Sequence, residues 1–590
     1  MSITISASDR RRRLVRAALL SATAGFAMTG ASPAFAQCVV QPGGTATCAG
    51  ENMTEQSVGN GGSITVTTEP GFSIDSPGNG LVISGPGSLT YDDANASTII
   101  GRGRDGIAVG NGGGASRIVI RTGGDITGGG RAGIITNNAG TGGVIVEATG
   151  TVTGATTGIT IVALAGSGGD SEVISNNAAG GTSGIGVENR GGTGAIRIAS
   201  TGTASATGSE GFAIIGFHSV QGAGGDLVIE ANDLAGIGGG INVSNLGAGS
   251  TMITVNGAVD VAGRQGISAG NGATAKDLIV TARGPVTSGA TAVSVSNQGS
   301  GRTIVTAEGQ LLSNNVRSQE SDISGNGLNI VTGGNAGDVV ANVAGVEGRA
   351  GILIRNLGQG SATLTATGLV EGREGRGVEI VSGSNAGAIS VDLAAVTGAT
   401  DGVIITAQGN GPVDLSIAGP VVAAETGVRV ELASNGVGDV DVAVNEVTGG
   451  RNGVILTALG AGDIALVATG ALTGADGTGL NIFGRGAIDA DVVDVTGING
   501  VIMSTSGSES SIDFTSTGTL TGTGGDGLFV SSLGAIRIDA TNSTGVRNGL
   551  TMSFGGTGEA VLVSRGTATG GASGIRATTA DGTTGGLSLD

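Results

Sequence analysis

The sequence predicts an all-β protein built as a single long parallel β-solenoid. A glycine followed by an aliphatic strand fragment recurs about every 25 residues, and a fixed period of that size indicates a stack of similar units rather than one globular core. Apolar and polar residues alternate within these fragments, and no stretch after the N-terminal segment has helical periodicity. The recurring positions are Gly80, Gly106, Gly133, Gly158, Gly184, Gly211, Gly240, Gly266, Ala292, Gly327, Gly351, Gly377, Gly402, Gly427, Gly453, Gly479, Gly500, Gly527, Gly549 and Gly574.

Each repeat contains two further strand signals besides the glycine-led fragment. One is an aliphatic pair such as Ile118 and Ile120, and the other is an aliphatic residue between glycines, as in residues 150–154. Gly, Asn, Asp and Ser separate these pieces, and such residues tolerate the backbone of tight corners. We therefore expect about 20 rungs of about 25 residues with three strands each, every strand pairing with its equivalent one rung away, and right-handed coiling.

The chain divides into three predicted parts: a signal peptide over residues 1–36, an N-terminal cap over 37–76 and the repeat rod over 77–590. Residues 10–13 and Arg16 form a basic start, an apolar run follows, and a small-x-small site predicts cleavage between Ala36 and Gln37. Either the general secretory route or a twin-arginine route fits this segment. No later stretch has the apolar length of a membrane-spanning helix.

The only two cysteines, Cys38 and Cys48, lie at the start of the predicted mature chain. In an exported protein this pair predicts a disulfide bond. Lipid attachment at Cys38 is a competing role, although Gln37 stands where a lipoprotein signal has a small residue, and two unpaired thiols are the remaining alternative. A zinc site lacks partner ligands, and we expect no metal and no cofactor.

The acidic balance of the chain argues against nucleic acid as a partner. The formal net charge is −19, and it becomes −23 without residues 1–36, because that segment carries five Arg and one Asp. A surface of this sign repels nucleic acid and anionic lipid. The charges are spread along the chain, as expected for a solvated exterior.

Few residues of the chain qualify as catalytic groups. His218 is the only histidine and Lys276 the only lysine, and the position of His218 at a repeat corner predicts a solvated loop residue. Asp92 and Asp93 form the only adjacent Asp pair, directly after the single tyrosine, and the chain has no tryptophan with which to stack sugars. These features favour a non-enzymatic protein, with a β-helix polysaccharide lyase or hydrolase as the alternative.

The period stretches to 35 residues between Ala292 and Gly327, and the excess falls in the most polar segment of the chain, 313–323. Insertions in repeat proteins form loops, often on the binding face. A neutral insertion is the competing interpretation. The residues predicted to form a contact loop are Ser313, Asn314, Asn315, Arg317, Gln319, Glu320 and Asp322.

An export signal, a cysteine pair behind it and a long Gly-, Thr- and Val-rich solenoid together resemble the passenger region of bacterial autotransporters. The resemblance covers residues 37–590. It implies export to the cell surface or outer membrane, or secretion, and a role in adhesion, aggregation or display towards an unidentified ligand on a host or neighbouring cell. It also implies an outer-membrane translocator barrel. Residues 586–590 still look like repeat, so we expect that barrel to be encoded downstream or on a separate chain.

Overall fold

A computed structural model describes residues 37–314, 325–433, 436–507, 510–555, 558–579 and 585–590. These residues contain strands and turns and no helix, and consequently no helix that could cross a membrane. Parallel strands stack in a β-solenoid of about 20 turns, with about 26 residues between successive equivalent strands. The predicted fold class is therefore confirmed, and the predicted signal peptide, including Ala36, lies outside the described residues.

Three parallel sheets run along the solenoid, and we call them sheets A, B and C in the order of one repeat. Sheet A holds the glycine-led strands: Gln56–Gly59, Leu81–Gly85, Ile107–Asn111, Ala132–Asn138, Thr157–Ala163, Ser183–Asn189, Phe212–His218, Gly239–Asn245, Ile267–Asn271, Val293–Asn297, Leu328–Thr332, Ile352–Asn356, Val378–Ser382, Val403–Ala407, Thr426–Leu432, Asn452–Ala458, Leu528–Ser532, Asn548–Phe554 and Ser573–Thr579. Sheet B holds Thr45–Ala49, Ile64–Thr68, Leu89–Asp93, Ile118–Thr122, Thr251–Val255, Leu278–Ala282, Val413–Ile417, Val440–Val444, Ile464–Ala468, Ile488–Val492, Ala560–Ser564 and Leu587–Leu589. Sheet C holds Glu51–Asn52, Ser73–Ser76, Thr98–Gly101, Ile126–Gly128, Val259–Val261, Val286–Ser288, Val421–Ala423, Val447–Gly449 and Ala568–Gly570.

Longer strands turn a corner and belong to two sheets. Ten run from sheet B into sheet C: Val144–Gly154, Ser171–Gly180, Ile196–Ala206, Leu227–Gly236, Thr303–Ser313, Val339–Gly348, Ala362–Gly372, Ile389–Gly398, Ile512–Gly522 and Ile536–Gly545. Two run from sheet C into sheet A: Leu472–Gly484 and Val495–Thr505. The pairing within each sheet joins a strand to its equivalent one rung away, as for Val428 with Val454.

The core is a set of aliphatic columns that run the length of the solenoid. In sheet A, Ile380, Ile405 and Val430 stack in register, and all three are fully buried. Outward residues on the same strands, such as Arg429, are partly exposed. Because alternate residues of a strand point to opposite faces, the period-2 pattern in the sequence becomes one continuous core.

The glycines that precede the aliphatic residues of the sheet-A strands stack on one another along the solenoid, and we call these positions the glycine column. Steric contact explains why glycine occurs there. A Cβ built on Gly266 would lie 2.5 Å from Cγ1 of Val286 in the next sheet-C strand. The column contains alanine at Ala292. The predicted position Gly211 is wrong, because strand register places Ala213 in line with Gly184 and Gly240. The sheet-C segments that follow these two alanines begin with leucine, Leu311 and Leu234, instead of a β-branched residue. Both alanines therefore face a side chain without a branched Cβ, although Gly453 and Gly500 also face leucines, Leu472 and Leu520, and a Cβ there would meet backbone carbonyl oxygens.

A buried asparagine column closes the corner between sheets A and B. Asn297 is fully buried; its side-chain amide donates to the carbonyl of Gly301 and the hydroxyl of Thr303, and its oxygen accepts from the Gly299 N–H. Equivalent residues end other sheet-A strands: Asn111, Asn138, Asn189, Asn245, Asn271 and Asn356. These side chains satisfy backbone groups that the corner leaves unpaired.

Aspartates before the sheet-B strands join neighbouring rungs. The carboxylate of Asp439 accepts a hydrogen bond from the Asp463 N–H at 2.9 Å, and Asp463 accepts one from Ala487 N–H at 2.7 Å. Asp226 and Asp338 make the same bond to Ser250 and Ser361. Part of the acidic charge of the chain therefore has a structural role, since each carboxylate satisfies an N–H one rung away.

An antiparallel strand covers one end of the stack. Gln37–Gln41 pairs with Thr45–Ala49, and Cys38 lies opposite Cys48 with their sulfur atoms bonded. The predicted disulfide is confirmed. The parallel sheets already include Thr45–Ala49, which pairs with Ile64–Thr68, so Gln37–Gln41 is the part of the predicted cap over 37–76 that departs from the solenoid pattern.

Candidate functional site

The largest departure from the period lies between sheets C and A. Val293 pairs with Leu328, a separation of 35 residues, whereas Leu328 pairs with Ile352 at the next rung. The sheet-C strand before this insertion ends at Ser313. The following rungs bring charged corner residues next to that point, because the same corner recurs on every turn.

A charged cleft of about 350 Å³ lies at this corner. Its side chains come from consecutive corners and from the outer face of sheet A: Asn326, Arg349, Arg355, Glu374, Arg376 and Glu379. We refer to these six residues as the charged cleft. A smaller space beside it is lined by Ser313, Asn314 and Arg373 together with Arg349 and Glu374, which line both.

Local corner geometry places these residues. The strand Ala362–Gly372 ends in a glycine, and four residues, 373–376, then precede Gly377. A Cβ on Gly372 would collide with the carbonyl of Arg376, so this corner closes tightly on its own backbone. The corner is therefore fixed in position, and the side chains of Arg373, Glu374 and Arg376 extend from it.

Ion pairs hold two of the three cleft arginines. Arg349 Nε lies 3.4 Å from Glu374, and Arg376 lies 2.7 Å from Glu379 and 3.5 Å from Asp401. Burial acts to lower the pKa of Arg376, but the charges and hydrogen bonds of Glu379 and Asp401 outweigh it and raise that pKa. Arg376 is thus a fixed positive charge that positions two carboxylates.

Two polar groups of the cleft remain unpaired. Arg355, half-buried on the outer face of Ile352–Asn356, has no ion pair and no hydrogen bond to any described residue. Asn326 is 2% exposed, and its Nδ2 has no hydrogen-bond partner in the described parts of the chain. Buried donors are nearly always satisfied in proteins, so an unpaired amide that lines a cleft is a candidate ligand contact.

Of the predicted contact loop, only Ser313 and Asn314 are described. Ser313 ends a sheet-C strand, and its carbonyl accepts a hydrogen bond from Arg373 at 2.6 Å. The remaining predicted members, which are Asn315, Arg317, Gln319, Glu320 and Asp322, lie outside the described residues. The cleft residues on the following rungs were not predicted. Four arginines between positions 349 and 376, in a chain with 28 Lys and Arg, were the available signal.

The expectation that His218 is solvated is wrong. It is 1% exposed and occupies the position that asparagine takes in the corner column, because it aligns with Asn189 and Asn245. Burial lowers the pKa of His218, and the opposing effects of the Asp226 backbone and charge are smaller. Neither ring nitrogen has a hydrogen-bond partner of good geometry among the described residues.

The Asp pair divides between the two faces of Leu89–Asp93. Asp93 is buried, and its carboxylate accepts hydrogen bonds from the Ser97 N–H at 2.8 Å and from the hydroxyls of Thr68 and Thr122 at 2.8 and 3.0 Å. Asp92 points outward. The two carboxylates therefore do not face a common space.

The described residues contain no group of three or more His, Cys, Asp or Glu side chains arranged to hold a metal ion. The fold and the site define a parallel β-solenoid with a charged cleft close to Ser313, where the period lengthens. Comparison with family models, with curated proteins and with solved structures finds no match.

Proposed function

We propose that the chain is a non-enzymatic rod exported to the cell surface or secreted, as an autotransporter-type passenger that acts in adhesion, aggregation or display. One observation carries this proposal. The solenoid is regular over about 20 turns, and its largest departure from the period adjoins the charged cleft. A regular stack provides an extended scaffold, and exterior corners carry the contacts.

The structural roles of Asp93 and His218 support a non-enzymatic rod. Asp93 satisfies backbone and hydroxyl donors inside the stack, and His218 fills a buried corner position. Catalytic acids and bases must reach a substrate, and these two groups are enclosed by the solenoid.

A polysaccharide lyase or hydrolase is the second candidate, because two carboxylates, Glu374 and Glu379, line the same cleft. Glycoside hydrolysis uses a pair of carboxyl groups. In this cleft, however, each carboxylate lies in an ion pair with arginine.

Cell display tests the proposed function. Fused to a heterologous translocator, the rod should change cell-to-cell or surface attachment, and removal of residues 315–324 should alter attachment while circular dichroism stays unchanged. Arg197→Gln, an exposed change on the outer face of Ile196–Ala206, is the control for altered charge. Polysaccharide turnover by the purified protein that Glu374→Gln or Glu379→Gln abolishes would support the enzyme instead.

A further inference from the structure

We infer that the charged cleft binds the carboxylate of an acidic sugar, as a uronic acid residue of a polysaccharide carries. This inference deepens the proposed function by giving a ligand class, and it rests on that function only for its biological setting.

The uneven pairing of charges in the cleft points to a single carboxylate. Glu379 and Asp401 both pair with Arg376, and Glu374 pairs with Arg349. Arg355 is left as a positive charge without a counter-ion among the described residues. A guanidinium presents a planar set of donors that matches the two oxygens of a carboxylate.

The surrounding carboxylates disfavour a doubly charged ligand. Arg349, Arg355 and Arg376 are balanced by Glu374, Glu379 and Asp401, so the formal charge of this group of side chains is zero. A monoanion can pair with Arg355 alone. A phosphate dianion would add a second negative charge beside three carboxylates, where like charges repel.

Asn326 provides the second contact. Its unpaired Nδ2 is enclosed at the wall of the cleft and can donate one hydrogen bond to a ligand oxygen. Binding would satisfy a buried donor that otherwise lacks a partner, and this gain favours an oxygen-rich ligand over an apolar one.

The rest of the lining suits a sugar. Glu374 has 71% of its side chain exposed, so its free carboxylate oxygen can accept from ligand hydroxyls, while the arginines donate. None of the residues that line the cleft is aromatic. The volume of about 350 Å³ lies at the lower end of the range for small-molecule sites, about 300 to 1,000 Å³, and so suits a short segment of a chain.

Calorimetric titration of the purified protein with a uronic acid trisaccharide tests the inference. The matched ligand is the same trisaccharide with methyl-esterified carboxyl groups, and acetate and a sugar phosphate complete the set. We expect the free acid to bind, Arg355→Gln to weaken binding about tenfold or more, and Arg355→Lys to retain part of the affinity. Arg197→Gln should bind as the unchanged protein does. Circular dichroism checks that each variant is folded.

Several results would overturn the inference: no binding of the free acid, equal affinity in folded Arg355→Gln, or equal binding of the methyl ester. If acetate binds as tightly as the trisaccharide, the sugar does not contribute to binding and the inference of a sugar ligand fails. Tighter binding of the sugar phosphate would contradict the preference for a singly charged ligand. The proposed function is tested separately from this inference. If the displayed rod does not change attachment while the purified protein still binds the free acid, the proposed function fails and the inference stands.

Discussion

Arg373 joins two rungs that are separated by the insertion: its Nη2 donates to the carbonyl oxygen of Ser313 at 2.6 Å, across 60 residues of sequence. Its Nε also lies 3.1 Å from a carboxylate oxygen of Glu347 on the intervening rung. One side chain therefore ties the last described strand before the insertion to the corner that carries the charged cleft.

Arg373→Gln should loosen the strand end at Ser313. A hydrogen bond to a charged group contributes about 1.5 to 3 kcal/mol, so we expect faster hydrogen exchange at Asn314, whose N–H donates to Ser288. Arg565→Gln, which removes a similar arginine contact to Asp539, is the control and should leave Asn314 unchanged. Equal protection of Asn314 in all three proteins would contradict the structural role.

Val428→Asp tests the core column. Val428 is fully buried and stacks on Val454, so the substitution places an uncompensated charge between rungs and should cost about 3 kcal/mol or more. Val422→Asp is the matched control, because Val422 is 48% exposed in the neighbouring sheet-C strand. Urea denaturation should separate the two variants. Similar midpoints would mean that the column is not the stabilising core.

The glycine column predicts that a second substitution can compensate for the stability lost when glycine is replaced. Gly266→Ala should destabilise the protein by about 1 to 3 kcal/mol, because the new Cβ would overlap Cγ1 of Val286. Adding Val286→Leu should restore part of that loss, because it removes the contact with Cγ1 while the contact of the new Cβ with the carbonyl oxygen of Ala292, at 2.6 Å, would remain. Thermal denaturation of the single and double variants measures the coupling, and additive losses would contradict this explanation.

His218 predicts a dependence of stability on pH. Its folded pKa is lowered below the ordinary value of about 6.5, so the unfolded state binds more protons just below that pH. The free energy of unfolding should therefore decrease as the pH falls from about 6.5 towards the folded pKa, with a slope of at most about 1.4 kcal/mol per pH unit for one proton. His218→Asn, which places the usual residue of the column there, should remove this contribution. If the free energy of unfolding of His218→Asn depends on pH as it does in the unchanged protein, His218 is not the cause of this dependence.

Asp441 predicts a dependence of stability on pH that has the opposite sign to that of His218. Partial burial raises its pKa first, and the adjacent charges of Asp414 and Asp439 raise it further. The folded state then binds more protons than the unfolded state above pH about 3.8, so this group costs stability as the pH rises through its folded pKa. Asp441→Asn should stabilise the protein at pH 7 by less than about 1 kcal/mol, because exposed charges are screened.

The gain in Asp441→Asn should disappear at low pH and shrink at high salt. Asp260→Asn, at an exposed position of Val259–Val261, is the control and should change little. A gain that is the same at every pH would rule out the charge as its cause.

The sequence by itself determined the fold class, the period and the location of the largest irregularity. Each of these follows from local pattern: alternation defines the strand faces, and repetition defines the stack. It also determined the Cys38–Cys48 pair, since a chain with two cysteines has one possible intramolecular disulfide.

Tertiary structure alone decided which residues meet between rungs. His218 was expected to be a loop residue because it lies at a repeat corner, and only strand register places it in the asparagine column. Arg349, Arg355 and Arg376 are spread over 28 residues of sequence and share one cleft because each rung returns the chain to the same corner. The physical reason is that position along the chain fixes the face of a strand, whereas contact between rungs depends on the exact length of every turn between them.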